Sequence, residues 1–230
     1  YRLQTTTTVM NKEGLTKEKA AEDFIIEATE HYYKRDFESA ISSIEAAIEL
    51  KPDFAEAWYN KGVVYSVMGR IRDELVCYRK AVELKPDYAE AWNNISSAGG
   101  RRGQYGDALH AAEKAVELRP GFAVALCNKG ASESGLGKEL SAVTSYEKAI
   151  EIEPSYVEAW FNKAVSLHNL EKTKGALKAY DKTLELKPDY AEALYNRAGL
   201  LSQDGDTDKA RRDLTRAIEI DASLEEKAQS

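Results

Sequence analysis

Large apolar, small apolar and helix-breaking residues return along this chain every 34 positions. Counted from residue 21, position 4 of successive periods is Phe24, Trp58, Trp92, Leu126, Trp160 and Leu194, and position 8 is Ala28, Gly62, Ser96, Gly130, Ala164 and Ala198. Four residues make about one helical turn, so each bulky side chain stands beside a small one on a single helix face. Position 20 is Ala40, Glu74, Ala108, Ala142, Ala176 and Ala210, and position 27 holds Ala47, Ala81, Ala115, Ala149 and Ala217. A second helix with an alanine face lets the first approach closely, its bulky residues filling the gaps. The pattern predicts one helical hairpin per period.

Breakers and caps bound the two helices. Gly69, Gly103, Gly137 and Gly205 fall at position 15, where the first helix ends and a left-handed residue is wanted. Pro52, Pro86, Pro120, Pro154 and Pro188 fall at position 32 and stop the second helix, because proline lacks the amide hydrogen and clashes with the preceding turn. Asp53, Asp87, Ser155 and Asp189 are then expected as N-caps, with Glu56, Glu90, Glu158 and Glu192 completing four capping boxes. Thr16 is expected to cap the opening helix.

A fixed period of this length means one unit copied and stacked, each copy unable to bury its apolar face alone. The units are 21–54, 55–88, 89–122, 123–156, 157–190 and 191–224, between an extension (1–20) and a short tail (225–230). The run from Trp58 through Gly62 to Tyr65, followed by Tyr78, Ala81 and Pro86, resembles the signature of the tetratricopeptide repeat family, with Lys61 and Glu74 departing from it. The resemblance implies an all-α, right-handed superhelical α-solenoid of six helix pairs in one continuous domain. It specifies the fold far more sharply than the function, since the family is defined by packing residues.

Composition narrows the function classes. A net charge of −7 argues against nucleic acid as partner, because phosphate binding wants a basic stripe. No apolar run approaches the roughly 20 residues that cross a bilayer. Cys77 and Cys127 lie too many helices apart for a disulfide, so both are expected as free thiols, fitting a cytoplasmic location. His31, His110 and His168 fall at unrelated repeat positions and form no metal-binding pair. Gly99-Gly100-Arg101-Arg102-Gly103 follows no strand, which removes a phosphate-loop reading. The expectation is a protein without enzymatic activity or cofactor.

Residues 89–156 stand out within the array. Position 11 takes Tyr65, Leu167 or Leu201 elsewhere but is Gly99 and Glu133 here, and Gly121 and Val124 remove the capping box between those periods. This segment is expected to be the loosest, with space above Gly99.

The resemblance also implies that the first helices line a concave groove through positions 2, 5, 9, 12 and 13. Position 5 then offers Ile25, Tyr59, Asn93, Cys127, Phe161 and Tyr195. Position 6 is asparagine in five periods: Asn60, Asn94, Asn128, Asn162 and Asn196. A row of amides can pair with the main chain of a bound peptide whatever its sequence. It is similar to the asparagine ladder of protein O-glycosyltransferase repeat domains, and the alternative is asparagine serving the contacts between helices. Lysine is absent from positions 2 and 5, so the carboxylate clamp of chaperone-tail receptors in this family is not expected. The expected function is a protein-interaction scaffold holding a peptide or partner segment, chiefly through Tyr59, Asn60, Asn94, Asn128, Phe161, Asn162, Tyr195 and Asn196. The alternatives are the substrate-targeting domain of a larger enzyme and a self-assembling scaffold. A face around Leu214, Ala217 and Ile218 at the C-terminal edge is expected to stay partly open and to support a weak homodimer.

Overall fold

The computed structural model describes residues 15–225; the expectations for most of the N-terminal extension and for the tail beyond Glu225 lie outside them. The chain divides into two compact units, one up to Pro120 and one from Gly121, where the sequence reading has one continuous array. Their boundary falls between the third and fourth periods.

The first unit holds α1 (Leu15–Tyr33), α2 (Phe37–Leu50), α3 (Ala55–Val67), α4 (Ile71–Leu84), α5 (Ala89–Arg101) and α6 (Tyr105–Leu118). The second holds α7 (Ala123–Gly135), α8 (Glu139–Ile152), α9 (Val157–Asn169), α10 (Thr173–Leu186), α11 (Ala191–Asp204) and α12 (Thr207–Ile220). Each unit is a stack of three helical hairpins, and no strand occurs among the described residues.

The alanine columns make this stacking feasible. Ala40, Ala108, Ala142 and Ala176 at position 20, and Ala47, Ala81, Ala115, Ala149 and Ala217 at position 27, are fully buried. Opposite the small residues of position 8 stand the fully buried rings of Tyr78, Tyr146 and Tyr180. The approach is tightest at glycine: a Cβ on Gly62 would lie 2.5 Å from Tyr78 Cε1, and one on Gly130 would lie 2.6 Å from Tyr146 Cε1. Position 4 ties one hairpin to the next, since Trp58, Trp92 and Trp160 each donate Nε1–H to the carbonyl of the preceding proline, at 3.2, 2.9 and 2.9 Å.

Position 15 is left-handed, as the glycines predict, with φ between 70° and 92° at Gly69, Gly103, Gly137 and Gly205. Arg35 (φ 61°) and Glu171 (φ 57°) adopt the same conformation without being glycine. The turn is therefore imposed by the hairpin, and glycine only removes its cost.

Three expectations need correcting. The capping boxes are absent: α3, α5, α9 and α11 start one residue later than predicted, and the residues before them, Phe54, Tyr88, Tyr156 and Tyr190, form no side-chain cap. The aromatic ring sets the start, because Phe54 and Tyr88 are buried and their amides donate to the Lys51 and Lys85 carbonyls across the proline turn. Glu56 and Glu90 instead pair with Lys85 and Arg119 at the far end of their own hairpins. Side-chain caps occur at two of the six second helices, where Asp36 accepts from the Ser39 amide and Asp206 from that of Lys209. The Ser39 side chain first, and then its amide, hold the Asp36 carboxyl below its usual range.

Thr16 is likewise not a cap, since α1 already includes Leu15. Nor is the space above Gly99 empty: a Cβ there would lie 3.2 Å from the Ala108 Cβ. Glycine at that position lets α5 sit close against α6. Glu133 is also packed, its carboxylate 2.6 Å from the Ser145 hydroxyl that donates to it.

Candidate functional site

The predicted groove residues separate into two sets. Tyr59, Asn60 and Asn94 are buried, at 5%, 0% and 5% exposure, and present almost no surface to a ligand. This corrects their assignment to an open groove. Tyr59 stacks on Tyr88 with 4.9 Å between ring centroids, and its hydroxyl accepts from Asn94 Nδ2 at 3.3 Å. Asparagine at position 6 thus reaches back to position 5 of the preceding hairpin. The second unit repeats the bond, Asn162 Nδ2 lying 3.7 Å from Cys127 Sγ.

Asn128, Phe161, Asn162, Tyr195 and Asn196 are only half-buried and share the first helices of the second unit, α7, α9 and α11. Phe161 stacks on Tyr190 at 4.8 Å, which fixes its ring while part of it stays accessible.

A cleft of about 530 Å³ opens beside Tyr195 and Asn196. His168, Gly199 and Ser202 continue the row, and Ala210, Arg211 and Leu214 of α12 form the opposite wall. One contribution is visible in the repeat: Leu214 occupies the position held by Tyr78, Tyr146 and Tyr180 in three other hairpins and by Ile44 and Ala112 in the remaining two. An aliphatic side chain cannot fill the volume of a phenol ring, so space remains over Ala198.

At the C-terminal edge, Ala217 is fully buried and Leu224 is 2% exposed in the same apolar cluster. Leu214 and Ile218 are half-exposed. The turn residues after α12 therefore cover part of the face that the sequence reading leaves open.

Burial pushes the Cys127 thiol up to about 11 and that of Cys77 to about 12, so both are protonated and poorly nucleophilic at neutral pH. Both are free. Among the described residues no group of three His, Cys, Asp or Glu side chains is placed to hold a metal, and no helix is long and apolar enough to cross a membrane.

An all-α array of stacked hairpins with a half-open inner row has the architecture of a repeat protein that presents surface. Profiles of the tetratricopeptide repeat match residues 27–71, then 55–88, 89–122 and 123–156, and finally 157–190 and 179–212. The chain belongs to the tetratricopeptide repeat family. The uncharacterized protein MJ0572 of Methanocaldococcus jannaschii is 33% identical over 61 residues, which is 23% of this chain and 71% of that protein. MamA is 25% identical with a TM-score of 0.66, covering 72% of this chain and 96% of MamA. PilF of Pseudomonas aeruginosa has a TM-score of 0.79 at 19% identity, over 93% of this chain and 99% of PilF. YrrB, described as a tetratricopeptide repeat protein with an unusual peptide-binding site, has a TM-score of 0.63 at 24% identity, over 78% of this chain and 92% of its own. At these identities PilF and YrrB speak for the fold alone.

Proposed function

We propose that this protein is a non-catalytic interaction scaffold whose second unit receives a segment of a partner protein along α7, α9 and α11. The cleft beside Tyr195 and Asn196 carries this reading: it is concave, largely apolar, and edged by the Asn196 amide, which can pair with a peptide main chain. Phe161 and Tyr195 supply aromatic contact area, and Asn128, Asn162 and Asn196 supply main-chain hydrogen bonds. Tyr59, Asn60 and Asn94 support the fold of the first unit instead.

Acidic net charge fits a protein partner rather than nucleic acid. Two free thiols fit a reducing compartment, and we place the protein in the cytoplasm. The same scaffold would serve equally as the targeting part of a larger enzyme such as a protein O-glycosyltransferase; the gene from which the chain comes distinguishes that case.

The test is a peptide selected from a display library against the intact protein and measured by calorimetry. Tyr195→Ala with Asn196→Ala should weaken it at least tenfold, while circular dichroism stays unchanged. Undiminished affinity sinks the proposal. A second copy is the rival occupant, because Leu214 on the cleft wall lies at the C-terminal edge. Sedimentation over a concentration series decides it: self-association abolished by Leu214→Glu favours the homodimer, and a constant monomer mass favours the peptide.

A further inference from the structure

A second cleft, of about 410 Å³, lies in the first unit among α4, α5 and α6, and its origin is a break in the repeat. At three junctions between hairpins, a cation at position 7 pairs with an acid at position 25 of the hairpin before. Lys61 bonds Glu45 at 2.8 Å, Lys163 bonds Glu147 at 2.8 Å, and Arg197 bonds Asp181 at 2.6 Å. In two of them the cation also lies over the tryptophan of position 4: Lys61 Nζ is 5.7 Å from the Trp58 ring and Lys163 Nζ is 5.4 Å from Trp160. These lysines are largely shielded, with side chains 14% and 18% exposed. Each forms a lid over its indole.

The junction between α4 and α5 lacks that lid. Position 7 is Ile95 and position 25 is Arg79. Isoleucine has no charge and cannot reach as far as lysine, while Arg79 makes no ion pair among the described residues. Among the described residues no cation lies over the Trp92 ring, in contrast to Trp58 and Trp160. Its Nε1–H is held by the Pro86 carbonyl and His110 meets it edge-on at 6.2 Å, so the indole is fixed in place. Glu83 and Asp107 stand on the rim with Arg79.

We infer that this cleft is a binding site for a single lysine or arginine side chain presented by a partner polypeptide. Such a group takes the place that Lys61 and Lys163 fill at the other tryptophans, its alkyl stem on Ile95 and Val82 and its charge against the indole. On the rim Glu83 is bonded to Lys80 at 2.7 Å, and Asp107, which makes no ion pair among the described residues, is the carboxylate left to meet the incoming charge. Trp92 and Ile95 lie on the opposite side of α5 from positions 2, 5 and 9, so the site is separate from the inner row of first helices. It does not depend on the function proposed for the second unit.

The test uses the pentapeptide acetyl-Leu-Gly-Lys-Gly-Leu-amide and versions with norleucine or glutamate in place of lysine. Each is titrated into the full chain while the indole N–H of Trp92, assigned with Trp92→Phe, is followed by NMR. The lysine peptide should shift that resonance to saturation, the norleucine peptide should bind at least tenfold more weakly, and the glutamate peptide should leave it unmoved. The double substitution Arg79→Glu with Ile95→Lys rebuilds the lid of the neighbouring junctions and should abolish the shift. Should it impair folding, Glu83→Gln with Asp107→Asn is the second variant, expected to lower affinity at least tenfold. Equal binding of lysine and norleucine peptides, tighter binding of glutamate, or a shift surviving both double variants overturns the assignment.

Discussion

Asn60 and Asn94 in the first unit occupy the same repeat position as Asn162 and Asn196 in the second, yet the first pair is buried and the second half-exposed. Tyr59 and Tyr195 differ in the same way. Where α5 follows, Asn94 closes over the Tyr59 hydroxyl and Tyr88 covers its ring. In the second unit Phe161 meets the equivalent two rings, Tyr180 and Tyr190, but has no hydroxyl for the next asparagine to close over, and Leu214 leaves the cleft beside Tyr195 unfilled. Identical repeat positions become core in one place and surface in another according to what the adjoining elements bring.

The sharpest way to break this contrast is to overfill the first unit. Gly99→Tyr puts a ring where even a Cβ comes within 3.2 Å of Ala108. The expected loss lies beyond the roughly 3 kcal/mol upper end for inserted methylenes, outweighing the roughly 1 kcal/mol recovered by removing a helix-interior glycine. A raised denaturation midpoint would show that α5 and α6 can separate freely.

Next in size is Arg101→Ala. Glu74 is fully buried and paired with Arg101, so removing the guanidinium strands a carboxylate at a cost of about 3 kcal/mol, the low end because Arg101 itself reaches solvent. Adding Glu74→Ala, the alanine found at this position elsewhere, should restore most of the loss in urea titrations. A double variant as unstable as the single one would mean that the pair is not what Arg101 supports.

A smaller effect separates the two asparagine sets. Asn94→Ala should cost about 1 kcal/mol of stability for its bond to Tyr59. Asn162→Ala, whose partner is a weakly accepting sulfur, should cost less stability and act on peptide affinity instead. Equal stability losses would erase the distinction between the units.

The smallest expected difference concerns the helix starts. Asp206→Ala should cost about 1 kcal/mol, while Asp53→Ala and Asp87→Ala should fall within a few tenths. For Asp36 the lowered folded pKa means its contribution is complete above the usual carboxylate range and fades as pH falls through the folded value. Acid titration of Asp36→Asn against the parent chain checks that direction.

The hairpins and their boundaries were legible because bulky, small, glycine and proline columns report contacts inside one hairpin. The capping boxes misled because Asp53 and Glu56 have the right spacing, while the buried ring of Phe54 moves the start of α3 by one residue. Arg35 and Glu171 carry no compositional signal for the left-handed turn they adopt. Exposure at positions 5 and 6 was illegible for a related reason: it depends on side chains about 35 residues away, as between Asn94 and Tyr59. The missing lid at Trp92 was visible in the sequence as Ile95 and Arg79, but only once the pairing of positions 7 and 25 was known.

An array of near-copies faces a problem of address. A partner that recognises one hairpin meets much the same side chains in the next, so it can settle in several registers and dilute its own signal. Trp58, Trp92 and Trp160 are interchangeable as letters in the sequence. The exchange of two residues at positions 79 and 95 makes one of them different, and gives this otherwise periodic molecule a place that can be found only once.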